Sequence, residues 1–236
     1  MKRLLLLVVF LSSWIASYSQ SVVVHEPVIL EKSHRTVRID SVVLTSDGSV
    51  FYLRILNERE SGGWFCLSSE VHLYSDNEFI AAAKRIEGIP LCPQAHRFES
   101  IGEQVTFQLH FPAIDNELTW LSIEEVCDQA CLKLSGIVLD VRFNEKAGVF
   151  DKALDCYREG DYLRCIKGFE KVLTPPLPLQ ERTSLYAFAY YYIIAGYLRS
   201  DRREEGLVWY YQLQSSNLED KLTVVRRLQE EFSLPE

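Results

Sequence analysis

Ala153-Leu154-Asp155-Cys156-Tyr157-Arg158-Glu159-Gly160-Asp161-Tyr162-Leu163-Arg164-Cys165-Ile166-Lys167-Gly168-Phe169-Glu170-Lys171-Val172-Leu173 decides the architecture of this 236-residue chain. Gly160 ends one helix, because a residue without a Cβ enters the left-handed region cheaply. Asp161 then caps a second helix by accepting from the free amides of its first turn. The first helix is expected over 145–159 with Asn144 as its cap, and the second through Leu173. Thr174-Pro175-Pro176-Leu177-Pro178 stops it, since proline lacks the amide donor that a helix interior requires.

This helix pair resembles a tetratricopeptide repeat. Ala153 matches the small site of the first helix, and Gly160, Asp161 and Tyr162 match the turn and the start of the second. Cys165 stands at the usual small site, where alanine is common, and Phe169 and Val172 match the core sites that follow. The resemblance implies close packing of antiparallel helices more than it implies a ligand. A degraded second unit is expected, with 186–199 as its first helix, Gly206 as the small residue of the next, and Tyr210 and Leu213 as core. Cys165 and Gly206 lie 41 residues apart, against a repeat of about 34. The expected third helix runs from near Pro178 to Leu198. Capping boxes at Asp201/Glu204 and Ser216/Glu219 introduce a fourth helix to Gln214 and a terminal one through Phe232. The segment from Leu218 to Phe232 would cover the open end of so short an array.

Working towards the N-terminus, the pattern changes to a period of two. Phe51, Leu53 and Ile55 alternate with Tyr52, Arg54 and Leu56, and Val105, Phe107, Leu109 and Phe111 share one face. Strands are expected over 22–24, 36–44, 50–56, 63–66, 71–74, 79–83, 105–111, 118–123 and 132–141. Ser46-Asp47-Gly48-Ser49 lies between two of them as a hairpin turn. Closely spaced short strands point to a β-sandwich. The half from 20 to 141 has a loose architectural resemblance to an immunoglobulin-like sandwich, without a diagnostic Cys…Trp…Cys order, which implies recognition or spacing rather than a reaction. The expected class is therefore two-domain β + α: a β-sandwich over 20–141, then a tetratricopeptide-like helical hairpin array over 142–236.

The chain opens on Met1-Lys2-Arg3, an apolar run from Leu4 to Ile15, and small or polar residues at Ala16, Ser17, Ser19 and Gln20. A basic start, a short apolar core and a small-residue exit form a secretory signal peptide over 1–19. The apolar core is shorter than the roughly 20 residues of a bilayer-spanning helix, so the mature chain is expected to have no direct membrane span. Acidity is concentrated in the first half: residues 21–140 carry 9 Lys+Arg against 18 Asp+Glu, and residues 141–236 carry 14 against 15. With no basic stripe to meet phosphates, no nucleic-acid partner is expected.

Export permits disulfides. Cys66, Cys92, Cys127 and Cys131 lie in the first half, Cys156 and Cys165 in the second. Four cysteines allow three pairings, and sequence does not select one. Cys127 and Cys131 could close a small turn. Cys66 and Cys92 could join two strands, or a strand and a loop. Cys156 and Cys165 occupy facing core positions, as buried thiols or as a bridge.

Two sets of residues are candidate recognition sites. In the helical half, Tyr190, Tyr197, Arg199, Trp209 and Tyr211 form a candidate partner-binding surface, since helical residues three or four apart share a face. The bland alternative is that these aromatics pack the core. In the β half, Trp64 beside Gly62-Gly63, and Trp120, are candidate ligand-binding residues on which a glycan ring could stack. The five histidines are dispersed and form no H-E-x-x-H site, although His96 lies close to the loop cysteines. No G-x-S-x-G elbow, phosphate-binding loop or dinucleotide fingerprint is present. The expected function is a non-enzymatic, exported protein-binding or scaffolding component of a bacterial cell envelope, in the periplasm or cell envelope or secreted, with an envelope protein as partner and no cofactor or metal. A carbohydrate- or small-ligand-binding module is the alternative.

Overall fold

The computed structural model describes residues 21–176 and 182–235. The expected signal peptide over 1–19, and the expected helix start near Pro178, lie outside the described residues. The N-terminal part contains β1 (Val22–His25), β2 (Ile29–Lys32), β3 (Val37–Leu44), β4 (Ser49–Leu56), β5 (Trp64–Phe65), β6 (Val71–Ser75), β7 (Glu78–Ala82), β8 (Arg85–Glu87), β9 (His96–Arg97), β10 (Gln104–Phe111), β11 (Trp120–Glu125) and β12 (Lys133–Val138). They form a five-stranded sheet of order β1-β3-β4-β10-β8, a second of order β2-β12-β11-β6-β7, and a ribbon of β5 and β9. Every strand pair is antiparallel.

The period-two pattern explains which faces are buried. Phe51, Leu53 and Ile55 of β4 and Phe107, Leu109 and Phe111 of β10 enter one apolar cluster, joined there by Leu73, Leu121, Ile123 and Leu134 of the other large sheet. Along β3 the alternation breaks after Ile39 and resumes at Val42. A register shift between Ile39 and Ser41 supplies the reason, because one extra residue in a strand exchanges its faces. Strands β2, β8 and β9 were not expected; each has at most four residues, too few to display a period.

The C-terminal part contains α1 (Val141–Arg158), α2 (Tyr162–Leu173), α3 (Leu185–Arg199), α4 (Arg203–Ser215) and α5 (Lys221–Phe232). Several expected boundaries are corrected. Helix α1 begins at Val141, not Glu145, because the Asp140 carboxylate accepts from Arg142 N at 2.9 Å and Phe143 N at 3.2 Å. Strand β12 consequently ends at Val138, short of the expected 141. Asn144 therefore lies inside the helix and caps nothing. Asp161 caps α2 as expected, accepting from Arg164 N. Arg182, Thr183 and Ser184 precede α3 and are not helical, so the described helix starts at Leu185. Neither expected capping box forms. Asp201 and Asp220 both have positive φ, the caps of α4 and α5 are Arg202 and Asp220 without side-chain cap bonds, and the Ser216 hydroxyl donates back to Leu213 O.

Helix α3 buries Tyr186, Ala187, Ala189, Tyr191, Ile193, Ile194, Ala195 and Gly196, apolar around its whole circumference. A helix of that kind belongs in the middle of its group, and the other four helices pack around it. Small residues set the approach distances. A Cβ on Gly168 would sit 2.7 Å from the Ala153 Cβ, one on Gly196 3.2 Å from Ile166, and one on Gly206 3.1 Å from Leu198. Lys146 is buried in α1 and donates to Val172 O at 2.6 Å and Lys171 O at 3.3 Å, which satisfies carbonyls left open at the end of α2. Burial holds its pKa below the ordinary lysine value. At the far end, the Tyr210 hydroxyl donates to Pro235 O at 2.7 Å and accepts from Gln229 Nε2 at 3.0 Å, which ties the C-terminal tail to α4 and α5.

The two parts meet in a small buried cluster of Val138, Phe143 and Tyr186, packed by Val28, Trp120 and Leu185. The Asn144 side chain accepts from Val28 N at 2.9 Å and donates to Val138 O at 2.9 Å. Arg182 lies 4.5 Å above the Trp120 ring and is ion-paired with Asp76.

Two substitutions test this packing. Gly168→Ala should destabilise the chain, although alanine favours a helix interior by about 1 kcal/mol. Ala153→Gly should recover part of that loss, with a coupling of about 1 kcal/mol or more in denaturant midpoints of the four-member cycle. Asn144→Ala should cost about 1–3 kcal/mol by leaving two backbone groups without partners. Asn144→Asp, which accepts but cannot donate to Val138 O, should fall between it and the parent.

Candidate functional site

A cleft of about 930 Å³ is lined entirely by residues of the β part. Three segments build it. The end of β4 runs into Asn57, Glu58 and Arg59; the β5 ribbon contributes Trp64, Phe65 and Cys66; and the turn after β11 contributes Val126 to Ala130. The turn between β2 and β3 closes the remaining side with His34, Arg35 and Thr36.

Each wall has an identifiable brace. Asn57 is buried, and its amide donates to Ser100 O at 2.7 Å and Arg59 O at 2.9 Å. Gly63 follows from that arrangement, because a Cβ there would meet the Asn57 side-chain oxygen at 2.6 Å. Phe98 N donates to Gly63 O, which holds the ribbon in register. Glu125 spans two segments: one carboxylate oxygen accepts from Ser68 N at 2.5 Å, the other from Leu132 N at 2.7 Å. Disulfides Cys66–Cys92 and Cys127–Cys131 close loops of 26 and 4 residues at the cleft. The chain-entropy model assigns such loops roughly 3.5 and 2 kcal/mol of stabilisation. The third bridge, Cys156–Cys165, joins α1 to α2, so all six cysteines are paired.

Trp64 stands on this cleft with 60% of its surface exposed. Trp120 does not share the site; it is half-buried under Arg182 where the two parts meet. Among the charged lining residues, Arg35 and Glu58 pair at 2.8 Å. Arg59 and Asp128 are exposed and make no ion pair among the described residues. His96 lies outside the lining and bonds Glu103 Oε1 at 2.7 Å; no group of three or more metal-ligating side chains occurs among the described residues. Hydrogen bonds from the Glu99 amide and from His96 hold the Glu103 carboxyl below the ordinary range.

The helical candidates separate into internal and external groups. Tyr190 and Trp209 are half-buried and pack edge to face at 5.6 Å. The Tyr197 ring lies 5.3 Å beneath Arg202. Arg199 is ion-paired with Glu231 and lies 5.5 Å from Tyr157, 5.7 Å from Tyr162 and 5.8 Å from Phe232. Its guanidinium therefore links α5 to α1, α2 and α3. Tyr211 differs, at 54% exposed, as does Val208 on the same face of α4 at 57%. Sequence reasoning omitted Val208, whose signal was its place three residues before Tyr211.

Glu231 also accepts from the Tyr191 hydroxyl at 2.5 Å. Burial alone would raise the Glu231 pKa, but the bonds from Tyr191 and Arg199 outweigh it and hold the carboxyl low. No helix among the described residues is long and apolar enough to cross a membrane. Comparison of the chain with models of protein families, with curated proteins and with solved structures finds no match.

The Tyr191–Glu231 pair predicts a pH dependence. Burial, then the bond to Glu231, push the Tyr191 phenol from 10.0 up to about 12. A phenol raised on folding contributes stability that is whole below the unfolded value near 10 and is lost as pH rises through the folded value. Urea midpoints of the parent should therefore fall across that alkaline window. Tyr191→Phe should be less stable at neutral pH and should fall less steeply; the Tyr157 phenol, raised by burial, keeps some slope in both. Identical slopes would show that Tyr191 does not titrate with unfolding.

Proposed function

We propose that this chain is a non-enzymatic, exported binding or scaffolding component of a bacterial cell envelope. In this reading the sheets form a β-sandwich, the helices form a tetratricopeptide-like array, and the array holds an envelope protein. The close approaches at Gly168, Gly196 and Gly206 support the repeat-like packing, because small residues at helix crossings are what let such helices stack. One apolar cluster drawing on both large sheets supports the sandwich. Three disulfides fit an oxidising compartment outside the cytosol.

The observation that carries the protein-binding role is the exposed pair Val208 and Tyr211 on α4. Trp209 and Tyr210, between them, pack inward. An aliphatic and an aromatic side chain standing out together on a rigid helix make a small anchor of the kind that dominates protein interfaces. Charged Arg203 and Glu204 lie one turn away on the same helix and would form a polar rim.

Site-specific photocrosslinking in the native envelope tests this. A photoreactive residue at Tyr211 should yield one dominant protein adduct. The same residue at Ile101, equally exposed on the β part, should not. The captured protein, purified, should bind the mature chain, and Val208→Ser with Tyr211→Ala should weaken that binding at least tenfold. Recovery only as an unpartnered monomer, across physiological salt and divalent-ion conditions, would defeat the proposal.

A further inference from the structure

We propose that the disulfide-braced cleft around Trp64 is a carbohydrate site, and that it takes a neutral oligosaccharide whose pyranose rings carry equatorial hydroxyls. This goes beyond the protein-binding role of the helices and rests on different residues. The cleft volume of about 930 Å³ lies near the top of the range of about 300–1,000 Å³ for ligand clefts, which suits several sugar rings better than one.

The chemistry of the lining selects the ligand class. A protein partner is held by clusters of apolar anchors, but the large exposed apolar side chains in this lining are one indole, Trp64, and Val126. A pyranose with equatorial hydroxyls needs a single flat apolar surface for its C–H face and, around the ring edge, both donors and acceptors. Trp64 supplies the surface. Arg59 donates, Asp128 accepts and Gln129 does both. Arg59 and Asp128 carry opposite charges, Arg35 is neutralised by Glu58, and the Glu125 carboxylate is committed to two backbone amides. The lining carries two cations and three carboxylates, a slight negative excess that disfavours an anionic uronate, while the Glu58 and Glu125 carboxylates are already committed and do not call for the ammonium of an amino sugar.

The same distribution separates binding from cleavage. Hydrolysis requires two carboxyl groups facing one another across the glycosidic bond. Of the three acids in the lining, one is braced on amides and one is paired with arginine, which leaves Asp128. The walls are already fixed by Cys66–Cys92, Cys127–Cys131, Asn57 and Glu125, so little ordering accompanies ligand entry.

The mature full-length chain, with disulfides intact, is titrated calorimetrically and by tryptophan fluorescence with cello-, chito- and malto-oligosaccharides. Binding of at least one of these series, all built of rings with equatorial hydroxyls, is expected, weakened at least tenfold by Trp64→Ala and several-fold by Asp128→Asn. Trp64→Phe retains a ring and should lose only a few-fold, which keeps the test decisive if the alanine variant folds poorly. Tyr211→Ala should bind sugar like the parent, and Trp64→Ala should keep the Tyr211-dependent protein adduct, so the two proposals fail independently. No response to any series at millimolar concentration, or affinity indifferent to Trp64→Ala and Trp64→Phe, would overturn the assignment.

Discussion

Two backbone groups lie where the chain leaves its last strand: the amide of Val28, just before β2, and the carbonyl of Val138, at the end of β12. Asn144 serves both, and it does so from the first turns of α1. Burying an amide or carbonyl without a partner costs about 1–3 kcal/mol, so this side chain holds the first turns of α1, already capped by Asp140, against the sheets. Phe143 and Tyr186 fill the space beneath it, and Arg182 reaches back over Trp120 towards Asp76. The helical part is thereby attached by a polar clamp and an apolar plug, not only by a peptide linker.

That clamp was invisible in the sequence for a definite reason. Asparagine before a helical pattern is a good cap, and the local rule assigns Asn144 to that role. Asp140 takes it instead because the strand ends at Val138 and the chain turns immediately. Which of two competent residues caps a helix depends on where the preceding strand stops, and that is a tertiary matter. Lys146 is similar. A lysine is unremarkable on a helix, yet this one points inward, because the end of α2 presents unpaired carbonyls there. By contrast, the inward residues of β4 and β10 were legible, since a strict period of two leaves no second solution. Strands β2, β8 and β9 were not, because two to four residues contain no period.

The aromatic residues show why a candidate surface is hard to read from composition. Helix α3 carries its aromatics on nearly every face, so each neighbour takes some of them. Tyr192 stacks on Phe169, Tyr190 meets Trp209, and Tyr191 is consumed by Glu231. Arg199, a candidate for a partner contact, is also the cation at which four helices meet. What remains outside is Tyr211 with Val208, one helix later. Spacing identifies which residues share a face; it does not say whether another helix covers that face.

The β part solves the opposite problem. Its cleft is made of loops, which lack the internal hydrogen bonding that stiffens a helix, and loops left free would forfeit binding energy to ordering. Here the stiffness comes from outside the backbone ladder. Cys66–Cys92 ties the ribbon to its loop, Cys127–Cys131 closes the turn after β11, and Glu125 holds that turn's base to the segment at Ser68. Gly63 completes the arrangement by letting Asn57 approach where any side chain would intrude. Because those braces are internal to the cleft, Trp64 itself is left with no structural duty that would require its burial. Phe65, beside it in the ribbon, is buried while Trp64 is 60% exposed, so two adjacent residues divide between the core and the cleft, and the proposed sugar site rests on the ring that is turned out.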